Sequence, residues 1–178
     1  MKIENEVTVL NINKDEFIKK ILNAGGKEVT KELKQIRCVY DFNPVNRNKW
    51  IRLRTNGQKN TLTIKELNGN SKMGAKELEI EVSDFEETNR ILNELGYHYR
   101  NRQENYRHIF NFDGAEISID TWPQIEPYAE IEADTKEDIE RILKKLDIKP
   151  NQVTELDVCS IYKELYNIDI LKIKELKF

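Results

Sequence analysis

The chain has 178 residues, 34% charged and 38% hydrophobic, and its 29 Lys and Arg against 32 Asp and Glu leave a formal net charge of -3. That balance excludes a global basic field for a nucleic-acid polymer and an acidic tail, so any electrostatic function must come from where the charges sit. The length suits a single well-cored domain, and no apolar run approaches a bilayer-crossing span; a cytoplasmic protein away from membranes is the expectation.

Residues 3–27 (IENEVTVLNINKDEFIKKILNAGGK) read as a strand, a polar turn and a helix. A strand's period of two sets Glu4 and Glu6 opposite Ile3 and Val7, while Phe17, Ile18, Ile21 and Leu22 recur at helical spacing before Gly25 and Gly26 end the helix. Three strands rich in β-branched and aromatic residues follow at 36–42 (IRCVYDF), 49–55 (KWIRLRT) and 60–67 (NTLTIKEL), with a hairpin turn at Thr55-Asn56-Gly57. On these strands Arg52 and Arg54 oppose Ile51 and Leu53, and Thr61, Thr63 and Lys65 oppose Leu62 and Ile64.

Residues 76–97 (KELEIEVSDFEETNRILNELGY) repeat the first unit. Glu77, Glu79 and Glu81 face away from Leu78, Ile80 and Val82, and a helix carrying Ile91, Leu92 and Leu95 stops at Gly96. Two further strands, 104–112 (ENYRHIFNF) and 115–122 (AEISIDTW), flank Asp113-Gly114, and Glu116, Ser118 and Asp120 oppose Ile117 and Ile119. From Tyr128 the unit appears a third time (YAEIEADTKEDIERILKKLDIK): Glu130 and Glu132 oppose Ala129 and Ile131, ahead of a helix with Ile139, Ile142, Leu143 and Leu146.

The count is about eight strands with few helices, an α+β composition that suits an antiparallel β-barrel or strongly curved sheet flanked by amphipathic helices. Nearly every strand is ionic on one face and apolar on the other. One such strand alone is an ordinary half-solvated strand, but the amphipathic helices need an apolar surface to sit on. The outer face of a barrel supplies one, which turns the ionic faces into a polar lumen.

Buried charges are costly unless paired or met by a charged guest. Arginine forks recognise phosphate bidentately, so Arg52, Arg54 and Lys65 read as a polyphosphate grip, and clustered carboxylates suit hard cations such as Mg²⁺ or Mn²⁺. Both signs in one cavity describe a metal-polyphosphate complex.

Glu4-x-Glu6, Arg52-Leu53-Arg54, Lys65 in LTIKE, Glu79-x-Glu81, Arg107 in YRHIF, Asp120 in ISIDTWP and Glu130-x-Glu132 in YAEIEA stand in the order of the CYTH superfamily, the triphosphate tunnel metalloenzymes, which the chain resembles over essentially its whole length. That resemblance implies one domain over residues 1–178, with 155–178 a C-terminal helical cover. It implies a divalent-metal-dependent enzyme that cyclises ATP, as class IV adenylate cyclases do, or hydrolyses a nucleoside, thiamine or inorganic triphosphate. Arg52, Arg54, Lys65 and Arg107 would hold the triphosphate; Glu4, Glu6, Glu79, Glu81, Asp120, Glu130 and Glu132 would hold Mg²⁺ or Mn²⁺; Glu4, Glu6, Arg52 and Arg54 carry the catalytic roles. The implied partner is a small-molecule triphosphate, with no nucleic-acid polymer and no membrane; a homodimer is left open.

Two positions depart from the family pattern: Thr8 stands where Glu-x-Glu-x-Lys has its lysine, and Asn105 where Lys-x-Arg has its own. They motivate a second class, a non-catalytic polyphosphate or nucleotide-binding module, beside a third, a structural, partner-binding barrel. Glu77 and Glu116 fall outside the matched motifs and read as rim or surface positions. Trp122-Pro123 reads as a strand end that packs a corner, His98 and His108 as surface or packing residues, and Cys38 and Cys159 as reduced structural thiols. Ile161, Leu165 and Ile168 are spaced as one helix face covering a barrel end.

Overall fold

The computed structural model describes the backbone of residues 2–69 and 71–178 and the side chains of residues 5–69 and 73–178. Eight long strands make the body: β1 (Lys2–Val9), β2 (Lys27–Asn46), β3 (Lys49–Thr55), β4 (Asn60–Asn68), β5 (Ser71–Val82), β6 (Tyr99–Phe112), β7 (Ala115–Thr121) and β8 (Tyr128–Ala133). They pair antiparallel in the order β1-β5-β4-β3-β2-β6-β7-β8, and β8 pairs back to β1, so the curled sheet closes into a ring. Two short strands, β9 (Val153–Thr154) against β1 and β10 (Glu175–Leu176) parallel to β6, complete it. Four helices lie between strands: α1 (Lys14–Asn23), α2 (Phe85–Glu94), α3 (Lys136–Lys145) and α4 (Val158–Tyr166).

The threefold strand-turn-helix repeat has a local cause. Asn13, Asp84 and Thr135 sit in extended backbone just before their helices, and each side chain accepts a hydrogen bond from the backbone N–H three residues on, at Glu16, Glu87 and Asp138. Each satisfies one orphan donor of the first turn and stops the strand from running on. Gly25 (φ +98°) and Gly96 (φ +87°) then turn the chain through the left-handed region that ends α1 and α2.

Apolar strand faces point outward under the helices. Val7, Val9, Phe110, Phe112, Ile117, Ile119, Ala129 and Ile131 form one core with Phe17 and Ile21 of α1 and Ile139, Ile142 and Leu146 around α3. Cys38, Tyr40, Ile51 and Leu53 form a second with Phe85 and Leu92 of α2. The expected arrangement, helices outside and charges within, is therefore the one found. Coverage is uneven: Leu78 and Ile80 on β5 keep 51% and 56% exposure, because α2 lies over β3 and leaves β5 bare.

The C-terminal cover differs from a single helix. Asn167 adopts the left-handed conformation (φ +57°) and ends α4, so Ile168 lies beyond the helix and Leu165 is exposed. The face that packs is Ile161 and Tyr162 instead. Tyr162, Ile170 and Leu176 join Trp122 and Tyr128 in a third core, and the Tyr162 hydroxyl donates to the Pro123 carbonyl at 2.5 Å. Strands β2, β5 and β6 also begin earlier than their sequence patterns suggest, because charged stretches such as Lys27–Lys34 acquire strand geometry only by pairing with β6. Among the described residues no helix is long and apolar enough to cross a membrane.

Candidate active site

Directly paired residues on neighbouring strands share a face, and the ladder builds the lumen row by row. One row runs Gln103, Arg37, Arg54, Thr61, Glu81 across β6, β2, β3, β4 and β5; the next runs Asn101, Val39, Arg52, Thr63, Glu79. Lys65 and Glu77 are opposed one step further along. On the far wall Glu6 faces Glu132 across β1 and β8, and Glu132 faces Glu116 across β8 and β7.

Two ionic groups result. In the first, Lys65 Nζ lies 2.6 Å from Glu77 Oε1 and 3.7 Å from Glu6, while Arg52 stands 3.6 Å from Glu77 and 3.7 Å from Glu79. Arg54 lies 3.7 Å from Glu79, and that carboxylate also accepts from the Thr63 hydroxyl at 2.6 Å. In the second, Arg107 donates twice to Asp120 (2.9 and 2.6 Å) and once to Glu130 (2.6 Å). Asn105 Nδ2 donates to the same Asp120 at 2.7 Å, and Asn105 Oδ1 accepts from Arg37 at 3.0 Å.

The charge states follow from these contacts. Burial pushes the Glu77 carboxyl up, but Arg52 and Lys65 outweigh it and hold it down at about 2. Burial likewise opposes the Arg107 charge, and Asp120 and Glu130 overcome it, raising that group well above its ordinary value. Arg37 and Arg54 are compensated less. Burial, with Arg52 and Arg107 nearby, pulls Arg37 down to about 10, and burial with Arg52, Arg107 and Arg37 pulls Arg54 down to about 9. Both stay protonated at neutral pH, so among the described residues the first wall carries positive charge that its carboxylates leave only partly answered.

The candidate residues sort clearly against this geometry. Glu6, Arg52, Arg54, Lys65, Glu79, Arg107, Asp120, Glu130 and Glu132 all lie on lumen-facing strand positions. The side chain of Glu4 lies outside the described residues; its backbone pairs with Ala75. Glu81 continues the same face but sits at the mouth, its side chain 71% exposed and paired with Lys59. Glu77, read from sequence as a rim position, is instead buried and bridges Lys65 and Arg52, because it holds the same strand face as Glu79 one step deeper. Arg37 was missed, although the period of two applied to IRCVYDF separates it from Ile36 and Cys38 just as it separates Arg52 from Ile51.

Every ionic donor in the lumen is an oxygen or a cationic nitrogen. His98 bonds Asn93, His108 bonds Glu28, and Cys38 faces α2. That donor set fits a hard divalent cation, and Glu6, Glu132 and Glu116, opposed across β1, β8 and β7, are the carboxylates that would hold one. Among the described residues, no three His, Cys, Asp or Glu side chains are already grouped to ligate a metal.

Comparison with known proteins agrees with this geometry. The CYTH domain family model matches residues 3–168. A conserved hypothetical protein from Pyrococcus furiosus superposes with a TM-score of 0.76 at 23% identity, over 87% of this chain and 97% of that one. A proposed adenylate cyclase from Vibrio parahaemolyticus gives 0.75 at 15% identity, over 94% and 99%. A proposed adenylyl cyclase from Hippeastrum, described as having a dominant triphosphatase activity, gives 0.60 at 16% identity, over 92% and 96%. At these identities the likeness is one of fold. No curated protein matches the chain by sequence.

Proposed function

Since this chain belongs to the CYTH family, a family of metal-dependent triphosphate tunnel enzymes, we propose that residues 1–178 act as one unit on a small-molecule triphosphate with Mg²⁺ or Mn²⁺, and that the reaction is hydrolysis. The observation that carries this reading is the under-compensated arginine wall: Arg52 and Arg54 are largely withdrawn from solvent, yet among the described residues no carboxylate comes nearer to them than 3.6 Å. The Nε of Arg52 is buried without an acceptor. A buried guanidinium in that state is stabilised by an anionic guest.

In this reading Arg52, Arg54 and Lys65 grip the phosphate chain, and Glu77 and Glu79 hold those cations in place between turnovers. Glu6 and Glu132 would hold the divalent ion, which would supply charge neutralisation to the bound polyphosphate. Arg107 is committed to Asp120 and Glu130, so its part is to fix those carboxylates. Catalysis is then mainly positioning plus stabilisation of developing charge. Hydrolysis is favoured over cyclisation because an attacking water needs no seat for a nucleoside, whereas cyclisation needs one that aligns the ribose 3′-hydroxyl; in either case a carboxylate or the phosphate itself takes the proton of the attacking oxygen.

The test is incubation with inorganic tripolyphosphate and with ATP, each with Mg²⁺ or Mn²⁺. Orthophosphate release supports the proposal and cyclic AMP would replace hydrolysis by cyclisation. Tight binding without turnover would leave a binding module, in which case Thr8→Lys, restoring the family lysine to a buried β1 position, is expected to raise activity.

A further inference from the structure

We infer that Arg37 is a phosphate-binding residue of the lumen, supplying from β2 the cation that Asn105 does not supply from β6; this rests on the triphosphate reading above. Arg37 is only 7% exposed, and it stands directly opposite Arg54 on one side and Gln103 on the other. Its guanidinium lies over the Trp122 ring at 4.5 Å and, among the described residues, donates one side-chain hydrogen bond, to the neutral Asn105 Oδ1 at 3.0 Å. Its Nε is buried without an acceptor. Among the described residues no carboxylate forms an ion pair with Arg37, whereas Arg107, on the neighbouring strand, has two.

A purely structural arginine in this position is hard to account for. Stacking on a tryptophan and one bond to an amide offset little of the burial of a full charge, and repulsion from Arg52 and Arg107 adds to that cost while Asp120, already paired with Arg107, offsets only part of it. An anion in the lumen answers Arg37 and Arg54 together. Asn105, whose amide also bonds Asp120, then sets the angle of the Arg37 fork.

The experiment is titration of the full chain with inorganic tripolyphosphate, followed by the fluorescence of Trp122 in a Trp50→Phe background, since the chain has two tryptophans. Arg37→Met is expected to weaken binding by at least about tenfold, the loss of one charged hydrogen-bonding partner, and to abolish the change in Trp122 emission. The thermal midpoint of the ligand-free protein should hold or rise. The double variant Arg37→Met, Asn105→Lys moves the cation to the facing strand and should recover affinity, which a merely structural loss would not. Arg37→Lys keeps charge without the fork and should fall between, so it serves if the methionine variant does not fold. Unchanged affinity in Arg37→Met or Arg37→Lys would overturn the inference while leaving the triphosphate reading intact; a wild type that binds no tripolyphosphate would overturn both.

Discussion

Asp120 and Arg107 face each other across β7 and β6 and are joined by two hydrogen bonds of 2.9 and 2.6 Å, with the Asp120 side chain wholly buried. Glu130 on β8 completes the pairing from the other side of β7, so three consecutive strands are tied by one guanidinium. Asp120→Ala removes two of its hydrogen bonds and strips Asn105 of its acceptor. The expected loss is roughly 3 to 5 kcal/mol of folding free energy, the usual range when one partner of a buried pair is deleted. Urea unfolding measures it, and Asp120→Asn should lose less.

Arg54 should behave in the opposite way. It sits among Arg37, Arg52 and Arg107, and its charge is disfavoured both by burial and by them. Arg54→Gln is therefore expected to leave the ligand-free protein as stable or more stable, by roughly 1 kcal/mol, while weakening tripolyphosphate binding at least about tenfold. Paired thermal melts with and without tripolyphosphate read both effects. A variant that loses stability and keeps affinity would show the arginine wall to be scaffold.

Glu77 predicts a pH dependence. Its carboxyl is held at about 2 against an ordinary 4.5, so the folded state binds the proton less readily than the unfolded chain. The stabilisation is fully present above about pH 4.5 and is lost progressively as pH falls toward 2. Its size is of the order of 3 kcal/mol. Comparing acid unfolding of the wild type with Glu77→Gln should show a shallower dependence in the variant across that window.

Metal removal tests the far wall. Chelation by EDTA should abolish orthophosphate release, and Mg²⁺ should restore it. Glu6→Gln combined with Glu132→Gln, which neutralises two directly opposed carboxylates, should raise the Mg²⁺ concentration needed for half-maximal activity at least about tenfold, as loss of charged ligands does. An unchanged requirement would move the metal elsewhere in the lumen.

Much of this protein is written in its alternation. A period of two on β1, β3, β4, β5, β7 and β8 separates charged from apolar faces, and helical spacing with capping residues at Asn13, Asp84 and Thr135 marks α1, α2 and α3. Those are local properties, set by backbone geometry within a few residues, and they also imply which side must be covered. What only the tertiary structure decided is which charges meet. Whether Glu77 is a rim residue or a buried bridge, whether Arg107 is free or tied, and whether Arg37 has a carboxylate at all depend on register between strands far apart in sequence. Such pairings arise from ring closure, which no single segment encodes, and electrostatic partnership depends on distance in space, which alternation along one strand leaves open.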